Sequence, residues 1–464
     1  MLSRTGYFLA ETMKRWIPDP FVFALLITLL TGAMAYFTVG STPTQLVDAW
    51  YKGFWILLEF GMQMILILAT GYCIALSRPV SAVIDKLVQW VGTPTKVYMV
   101  IMVFGGLFAL ISWSWVVLTA IFAKELAKRV RGVDYAYLTA CVYLSFTVWV
   151  CGLSSSIPLL LNTQDNFLIK AGLLDSTIAI EHTLGSSLNY TLICLSIISM
   201  TLLMVALRPK GDQIIEADNL TDDTSHKHIC VAEEALQHRL SHSNFSDSIN
   251  SSTLLQLTVS FFGLWYIGRY FVNNGFDINL NIMIFIFIIV GMLSHRTPIR
   301  YVLAMKRACS NVSGVIFQFP FYAGIMGLMM FTGLAKAISA WMTAGASVES
   351  LPVIAYLSGA IVNFAIPSAG GEWAVIGPSF IESAKALGAD MTPVELDSFL
   401  SRIALSVAYG EAATNLLQPF FLLLILPVMG AGIKIQARDV MGHLVIPCAV
   451  TMLLGIALVT FMPL

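Results

Sequence analysis

Asn363-Phe-Ala-Ile-Pro-Ser-Ala-Gly-Gly-Glu-Trp-Ala-Val-Ile-Gly-Pro378 is a polar stretch, interrupted by proline and glycine, inside an otherwise apolar sequence. In lipid every backbone N–H and C=O must be satisfied within the protein. A chain broken at bilayer depth is tolerated only where protein or a water-filled cavity surrounds it. Broken helices at the midplane are also where substrate and ion sites are built. The segment is therefore read first as a binding site.

Its surroundings are those of a membrane protein. The chain has 464 residues, of which 57% are hydrophobic and 11% charged, with a mean hydropathy of +0.80. Soluble domains carry about 25% charged residues. A net charge of −1 leaves no basic excess for nucleic acid. The seven cysteines, at 73, 141, 151, 194, 230, 309 and 448, form no C-x-x-C and read as small packing residues. No cleavable leader is visible, because apolar residues from Phe21 run directly into a segment of spanning length.

Apolar runs of spanning length occur at Phe21–Val39, Phe54–Leu76, Leu188–Leu207, Leu254–Val272, Leu280–Ser294 and Leu444–Met462, with a longer one from Val312 to Lys336. Four more are interrupted: Lys96–Ala123, Ala136–Leu161, Leu351–Ala386 and Ile403–Met429. The one long hydrophilic stretch, 208–253, reads as a poorly ordered cytoplasmic linker.

Charge decides how the interrupted runs are threaded. If Lys96–Ala123 crossed once, Lys124, Lys128, Arg129 and Arg131 would lie opposite Arg78, Lys86 and Lys96, against the positive-inside rule. A re-entrant hairpin turning near Ser112-Trp113-Ser114-Trp115 keeps the two groups together. A second hairpin over 351–386, turning near Pro367–Glu372, completes the path. With the N-terminus inside, all but six of the 26 Lys and Arg then fall on the cytoplasmic side; the exceptions are Lys52, Lys170, Arg269, Lys336, Lys385 and Arg402.

The predicted fold is all-α and polytopic, with roughly nine spans and two hairpins. Two inverted-topology repeats follow. Residues 1–207 hold a hairpin at about 97–123 and a broken helix at about 136–161. Residues 254–272 make an extra crossing, and 273–464 repeat the order with a hairpin at 351–386 and a broken helix at 403–429. The path makes the protein multi-pass, with its N-terminus on the cytoplasmic side.

Each half supplies two polar breaks. The first has Ser112–Trp115 and Cys151-Gly-Leu-Ser154-Ser155-Ser156-Ile-Pro158; the second has Asn363–Pro378 and Tyr409-Gly-Glu411-Ala-Ala-Thr414-Asn415-Leu-Leu-Gln418-Pro419. Converging breaks would present helix N-termini to a carboxylate and free oxygens to Na⁺. Expected substrate contacts are Ser112, Trp113, Ser114, Ser154, Ser155, Ser156, Asn363, Pro367, Ser368, Gly370, Gly371, Glu372, Trp373, Asn415 and Gln418. Glu411, Thr414, Asn415 and Ser368 are assigned to ion coupling, since a carboxylate at membrane depth is functional by default. The tryptophans would wall a short aliphatic chain, or else pack the hairpin arms. Gln318-Phe-Pro320-Phe-Tyr322 is expected to kink its span. No cofactor is expected beyond a bound Na⁺. Hydrolase, metalloprotease and phosphate-loop signatures are absent.

Trp16-Ile-Pro-Asp-Pro20, Gly53-Phe-Trp-Ile-Leu-Leu-Glu-Phe-Gly-Met-Gln-Met64, Gln318–Ile325, Asn363–Trp373 and Ala408–Phe420 resemble the bacterial short-chain fatty acid transporter family, nearly end to end and most weakly in 208–253. That family includes an acetoacetate/butyrate permease and belongs to the larger ion transporter superfamily. The resemblance implies an elevator-type carrier, a homodimer, and paired hairpins and broken helices in a mobile domain. Departures from the family pattern fall at Ser112, Ser114, Ala369, Glu372, Ala412 and Ala413. A β-carbon at 369 narrows the turn, and Glu372 adds negative charge beside an anionic substrate unless it is protonated or paired with a cation. The implied activity is cation-coupled secondary transport of short-chain monocarboxylates. Rival readings are a dicarboxylate or amino-acid carrier on the same fold, a membrane acyltransferase and a channel. A dicarboxylate would call for Lys or Arg at a break, and none of the four contains one.

Overall fold

The computed structural model describes the chain apart from residues 1–7, 9–10, 13–14, 16–17, 78, 80–81, 83–85, 87–90, 164–165, 171, 222–230, 232–233, 236–244, 276–279, 311 and 463–464. Trp16, Arg78, Cys230 and much of the expected linker lie outside the described residues. Described residues form helices and no strand; a single bridge joins Thr221 to Ile433.

Local chemistry explains where the helices begin. Pro20, Pro43, Pro94, Pro298 and Pro393 each occupy the first helical turn, where their missing N–H is no loss. Asp19, Thr42, Thr93, Asp134, Ser186, Ser252 and Thr392 accept a hydrogen bond from the first-turn backbone of the helix that follows each.

Among the described residues, five helical segments are long and apolar enough to cross a bilayer: Pro20–Val39, Pro94–Ile111, Tyr135–Leu161, Ser187–Leu207 and Ala437–Phe461. A bent pair, Ile316–Phe331 with Leu334–Thr343, makes a sixth. Pro320 does not break its helix, which runs unbroken over Ser313–Phe331. The 60° bend falls at 332–333 instead. The segment at 136–161 is interior, with 72% of its apolar window buried, whereas Pro20–Val39 has 17% and Ala437–Phe461 has 28% buried. Largely exposed apolar helices thus surround a buried centre.

The expected hairpin at 97–123 is two helices packed on each other, Pro94–Ile111 and Val116–Arg129, joined by Ser112 and a 3-10 turn at Trp113–Trp115. The second pairs Leu351–Val362 with Ala369–Leu387. Its turn is Asn363–Ser368, earlier than the sequence suggested, so Gly370 to Trp373 already belong to the second arm. In the first broken span, Tyr135–Phe146 passes into a 3-10 turn at Thr147–Cys151 and resumes as Ser156–Leu161. The second runs as one helix over Pro393–Asn415, breaks, and resumes as Leu422–Met429. Tyr409–Asn415 is therefore helical, and the break lies at 416–421.

One packing pattern occurs in both halves. The first arm of each hairpin lies along the broken span of its own half, and the second arm lies against the short resumed helix of the other half.

Candidate functional site

Two close approaches set the core of the site. Gly410 brings the second broken span so near Leu351–Val362 that a β-carbon there would stand 1.9 Å from the Tyr356 carbonyl oxygen. Gly152 does the same in the first break, where a β-carbon would meet the Leu110 carbonyl oxygen at 2.3 Å. Glycines that the sequence presents as helix breakers serve here as contact surfaces.

The first hairpin tip is stitched to the first break. Ser112 is buried and extended (φ −153°, ψ 129°). Trp113 N–H donates to Ser154 Oγ at 2.7 Å, and Leu153 N–H donates to the Leu110 carbonyl at 2.7 Å. Asn189 Nδ2 then bonds the Cys151 carbonyl at 3.0 Å and the Leu184 carbonyl at 2.9 Å, while its Oδ1 accepts from the Tyr409 hydroxyl at 2.9 Å. Ser155 is fully buried and its Oγ has no partner; Ser156 is exposed.

In the second half, Asn363 is fully buried, and its Nδ2 donates to the Glu411 carbonyl at 3.2 Å and Thr414 Oγ1 at 3.0 Å. The hairpin turn is thereby anchored to the last turn of the broken span. Gln418 Nε2 donates to Asn415 Oδ1 at 2.9 Å, and Gln418 Oε1 accepts from Phe420 N–H at 3.1 Å. The Tyr143 hydroxyl, from the first broken span, reaches the Asn415 carbonyl at 2.5 Å and the Gln418 carbonyl at 3.1 Å. Each broken span thus lends a tyrosine to carbonyls at the other's break, Tyr143 directly and Tyr409 through Asn189.

Glu372 and Glu411 differ from these residues. Both are fully buried; the Glu372 oxygens have no hydrogen-bond partner, and Glu411 has only the Asn415 amide as a hydrogen-bonding neighbour. Both glutamates occupy helices that pack on each other, and Asn415, whose Nδ2 is also buried, lies one turn beyond Glu411. Asn363 Oδ1 and the Trp373 Nε1 are likewise buried without a partner. Buried polar groups are nearly always satisfied, so this cluster calls for an explanation.

The two neighbourhoods adjoin at Ser156 and Gly370, where a β-carbon on Gly370 would lie 3.6 Å from Ser156 Cβ. Phe421 packs on Phe146 at 5.4 Å and on Trp149 at 6.3 Å between ring centres, tying the second break to the first. Pro367 and Trp373 are buried, whereas Ser368, Gly370 and Gly371 are half-buried beside the tip. Trp113 is half-buried; for Ser114 only the backbone is described. Phe319 stacks on Phe420 at 4.7 Å and Tyr322 meets the same ring at 5.2 Å, so the 318–322 segment packs on the second break. Sequence reasoning missed Tyr143, Asn189 and Lys124. The signal was available, since a tyrosine or lysine in an apolar run must find polar partners. Lys124 Nζ donates to the carbonyls of Val428 at 2.8 Å and Ala431 at 2.6 Å, at the end of the resumed second helix.

Among the described residues the chain is all-helical, with several apolar helices of membrane length and interrupted helices that bring polar groups into a buried centre, an architecture suited to a transporter. The family profile described as Short chain fatty acid transporter matches residues 1–462, and the chain belongs to that family. A protein of Escherichia coli K12 is 36% identical over 446 residues, covering 96% of each chain. One from Haemophilus influenzae is 34% identical over 454 residues, covering 95% of this chain and 96% of its own. Both bear the name "Putative short-chain fatty acid transporter". The crystal structure of the Alcanivorax borkumensis YdaH transporter aligns over 96% of this chain and 98% of that one, with 18% identity and a TM-score of 0.42, too distant to bear on the fold.

Proposed function

We propose that this protein is a secondary active carrier of short-chain monocarboxylates such as acetoacetate or butyrate, moved together with Na⁺ or H⁺ by alternating access. The observation that carries the reading is the meeting of each hairpin's second arm with the other half's resumed helix. That arrangement, repeated in both halves, supports two inverted repeats and a hairpin-bearing domain that moves as a unit against the outer helices. The carboxylate binds near Ser112, Ser154–Ser156 and Ser368–Gly371, with Asn415 closing the site and Trp113 and Trp373 beside the aliphatic chain. Glu411, Thr414, Asn415 and Ser368 bind the coupling ion. A homodimer in the cytoplasmic membrane, N-terminus inside, completes the proposal.

Electrostatics support a co-transported cation. Moving a lone anion against an inside-negative potential costs about 2.3 kcal/mol per 100 mV, and a cation carried with it cancels that cost. The absence of Lys and Arg from the four breaks favours a single carboxylate over two.

Uptake of labelled butyrate and acetoacetate into proteoliposomes, with Na⁺ and proton gradients imposed separately, tests the proposal. Gradient-stimulated accumulation of either substrate is expected. No stimulated uptake of any short monocarboxylate would sink it. Replacing Glu411 with Gln is expected to change cation dependence more than substrate affinity; an unchanged Na⁺ and pH profile would remove Glu411 from the coupling site.

A further inference from the structure

We infer that Glu372 and Glu411 together form one exchangeable proton site, so that Glu372 serves coupling and does not contact the substrate's carboxylate. The inference rests on the carrier reading above and adds the identity of the ion and its second ligand. Glu372 lies one turn inside the second hairpin arm, Ala369–Leu387, and Glu411 one turn before the end of Pro393–Asn415. These helices pack directly on each other. Both side chains are fully enclosed; the Glu372 oxygens lack partners, and Glu411 has only the neutral, buried Asn415 amide as a hydrogen-bonding neighbour.

Among the described residues, the elements packed against the pair bring no counter-charge to it. On Leu351–Val362, Tyr356 directs its hydroxyl to the Thr451 carbonyl at 3.5 Å. On Val445–Phe461, Cys448 Sγ bonds the Ala413 carbonyl at 3.3 Å. Cys151, on the 3-10 turn at Thr147–Cys151, is a neutral thiol, and Ser156–Leu161 carries no titratable group. His182, beside Glu181 on the turn Ile180–His182, pairs with Ser398 at 2.9 Å. Lys336 on Leu334–Thr343 is exposed. On the pair's own helices, Lys385 bonds the Leu173 carbonyl and Asp175, Tyr409 bonds Asn189, and Arg402 stands more than two turns from Glu411. Glu382, Glu395 and Asp397 are acidic and supply no compensation.

Enclosure favours a proton. Two carboxylates sealed away from water, with no cation beside them, cannot both stay ionised. One bound proton removes one of the two charges. Bound to one carboxylate, it relieves the repulsion between the two, which then titrate as a pair. Asn363 Oδ1, buried and unpartnered, is a neutral acceptor beside the Glu411 backbone. In the cycle, water on one face gives up a proton to form the carboxyl O–H, and the bond breaks on the other face as the proton returns to water. One proton with one carboxylate anion makes the step electroneutral.

The test is infrared titration of purified protein in detergent without substrate, followed by uptake in proteoliposomes. A pH-dependent carboxylic C=O band is expected in the wild type, removed by E372Q and by E411Q alike, and shifted but retained in E372D should the Gln variants fail to fold. Proton-driven uptake should be lost in both Gln variants, while a Na⁺ gradient at fixed pH drives none in the wild type. A band unchanged in either Gln variant, no protonated band in the wild type, or Na⁺-driven uptake at fixed pH would overturn the inference. Because the infrared arm uses no substrate, a wrong cargo leaves it readable.

Discussion

The two halves use the same parts to different ends. In the first, the hairpin tip and the break are uncharged, and bonds such as Trp113 N–H to Ser154 Oγ, with Asn189 bridging to Tyr409, close the gap between them. In the second, the corresponding region holds Glu372 and Glu411, both fully buried. Similar packing therefore carries a hydrogen-bonded, uncharged contact in one half and two buried carboxylates in the other.

Close packing gives the largest expected difference. Gly105 and Gly410 both sit at a helix contact, but a β-carbon at 105 would meet the Ser145 hydroxyl at 2.2 Å, and one at 410 would meet backbone at 1.9 Å. The Ser145 hydroxyl can rotate away, leaving side-chain carbons of Ser145 and Thr119 at 2.8 Å to shift, whereas at 410 the obstacle is helix backbone, which cannot. Gly410→Ala should destabilise by about 3 kcal/mol or more, outweighing the ~1 kcal/mol that alanine adds in a helix. Gly105→Ala should cost clearly less. Thermal unfolding in detergent measures both, with Gly32→Ala, which meets nothing within 4 Å, as a control. Equal losses at 105 and 410 would dissolve the distinction.

Next in size are the exchanged tyrosines. Tyr143→Phe takes a donor from two carbonyls, of which that of Asn415 still accepts from Gln418 N–H at 3.3 Å, and should cost about 2 kcal/mol, whereas Tyr409→Phe leaves Asn189 to hold Cys151 and should cost about 1 kcal/mol. A larger loss at 409 would reverse the order of the halves. Ser154→Ala, which removes the acceptor for Trp113 N–H, should cost about 1 kcal/mol and weaken substrate binding more than ion dependence. Saturation curves at fixed gradient separate the two effects.

The smallest effect lies at the start of the second broken span. Glu395 Oε2 accepts from Thr392 N–H at 2.9 Å and from its hydroxyl at 2.8 Å, and these bonds hold the exposed carboxyl below its ordinary range. With the folded value depressed, the contribution is present at neutral pH and fades as pH falls through that depressed value. Unfolding temperature in acid should therefore drop slightly less steeply for Glu395→Gln than for the wild type.

Much of this arrangement was readable from residue types. Hairpins announce themselves where polar residues interrupt apolar runs, and helix starts where Thr, Ser or Asp precedes a first turn. Span lengths at 188–207, 254–272, 280–294 and 444–462 fall within a few residues of the helices. Other features were not readable. Gly410 looks like a breaker until the Tyr356 carbonyl is seen against it, and Pro320 looks like a kink although its helix continues. Both depend on a distant neighbour, and a local pattern carries no information about which neighbour arrives.

Lys124 carries a consequence for how the protein is made. Its buried ammonium is held by carbonyls 304 and 307 positions later in the chain. At 5–20 residues per second, the ribosome delivers those acceptors roughly 15–60 s after Lys124 itself. During that interval the first hairpin is already synthesised but cannot take its final place. The Lys124 contacts therefore close the molecule late, only once residues 428–431 have been made.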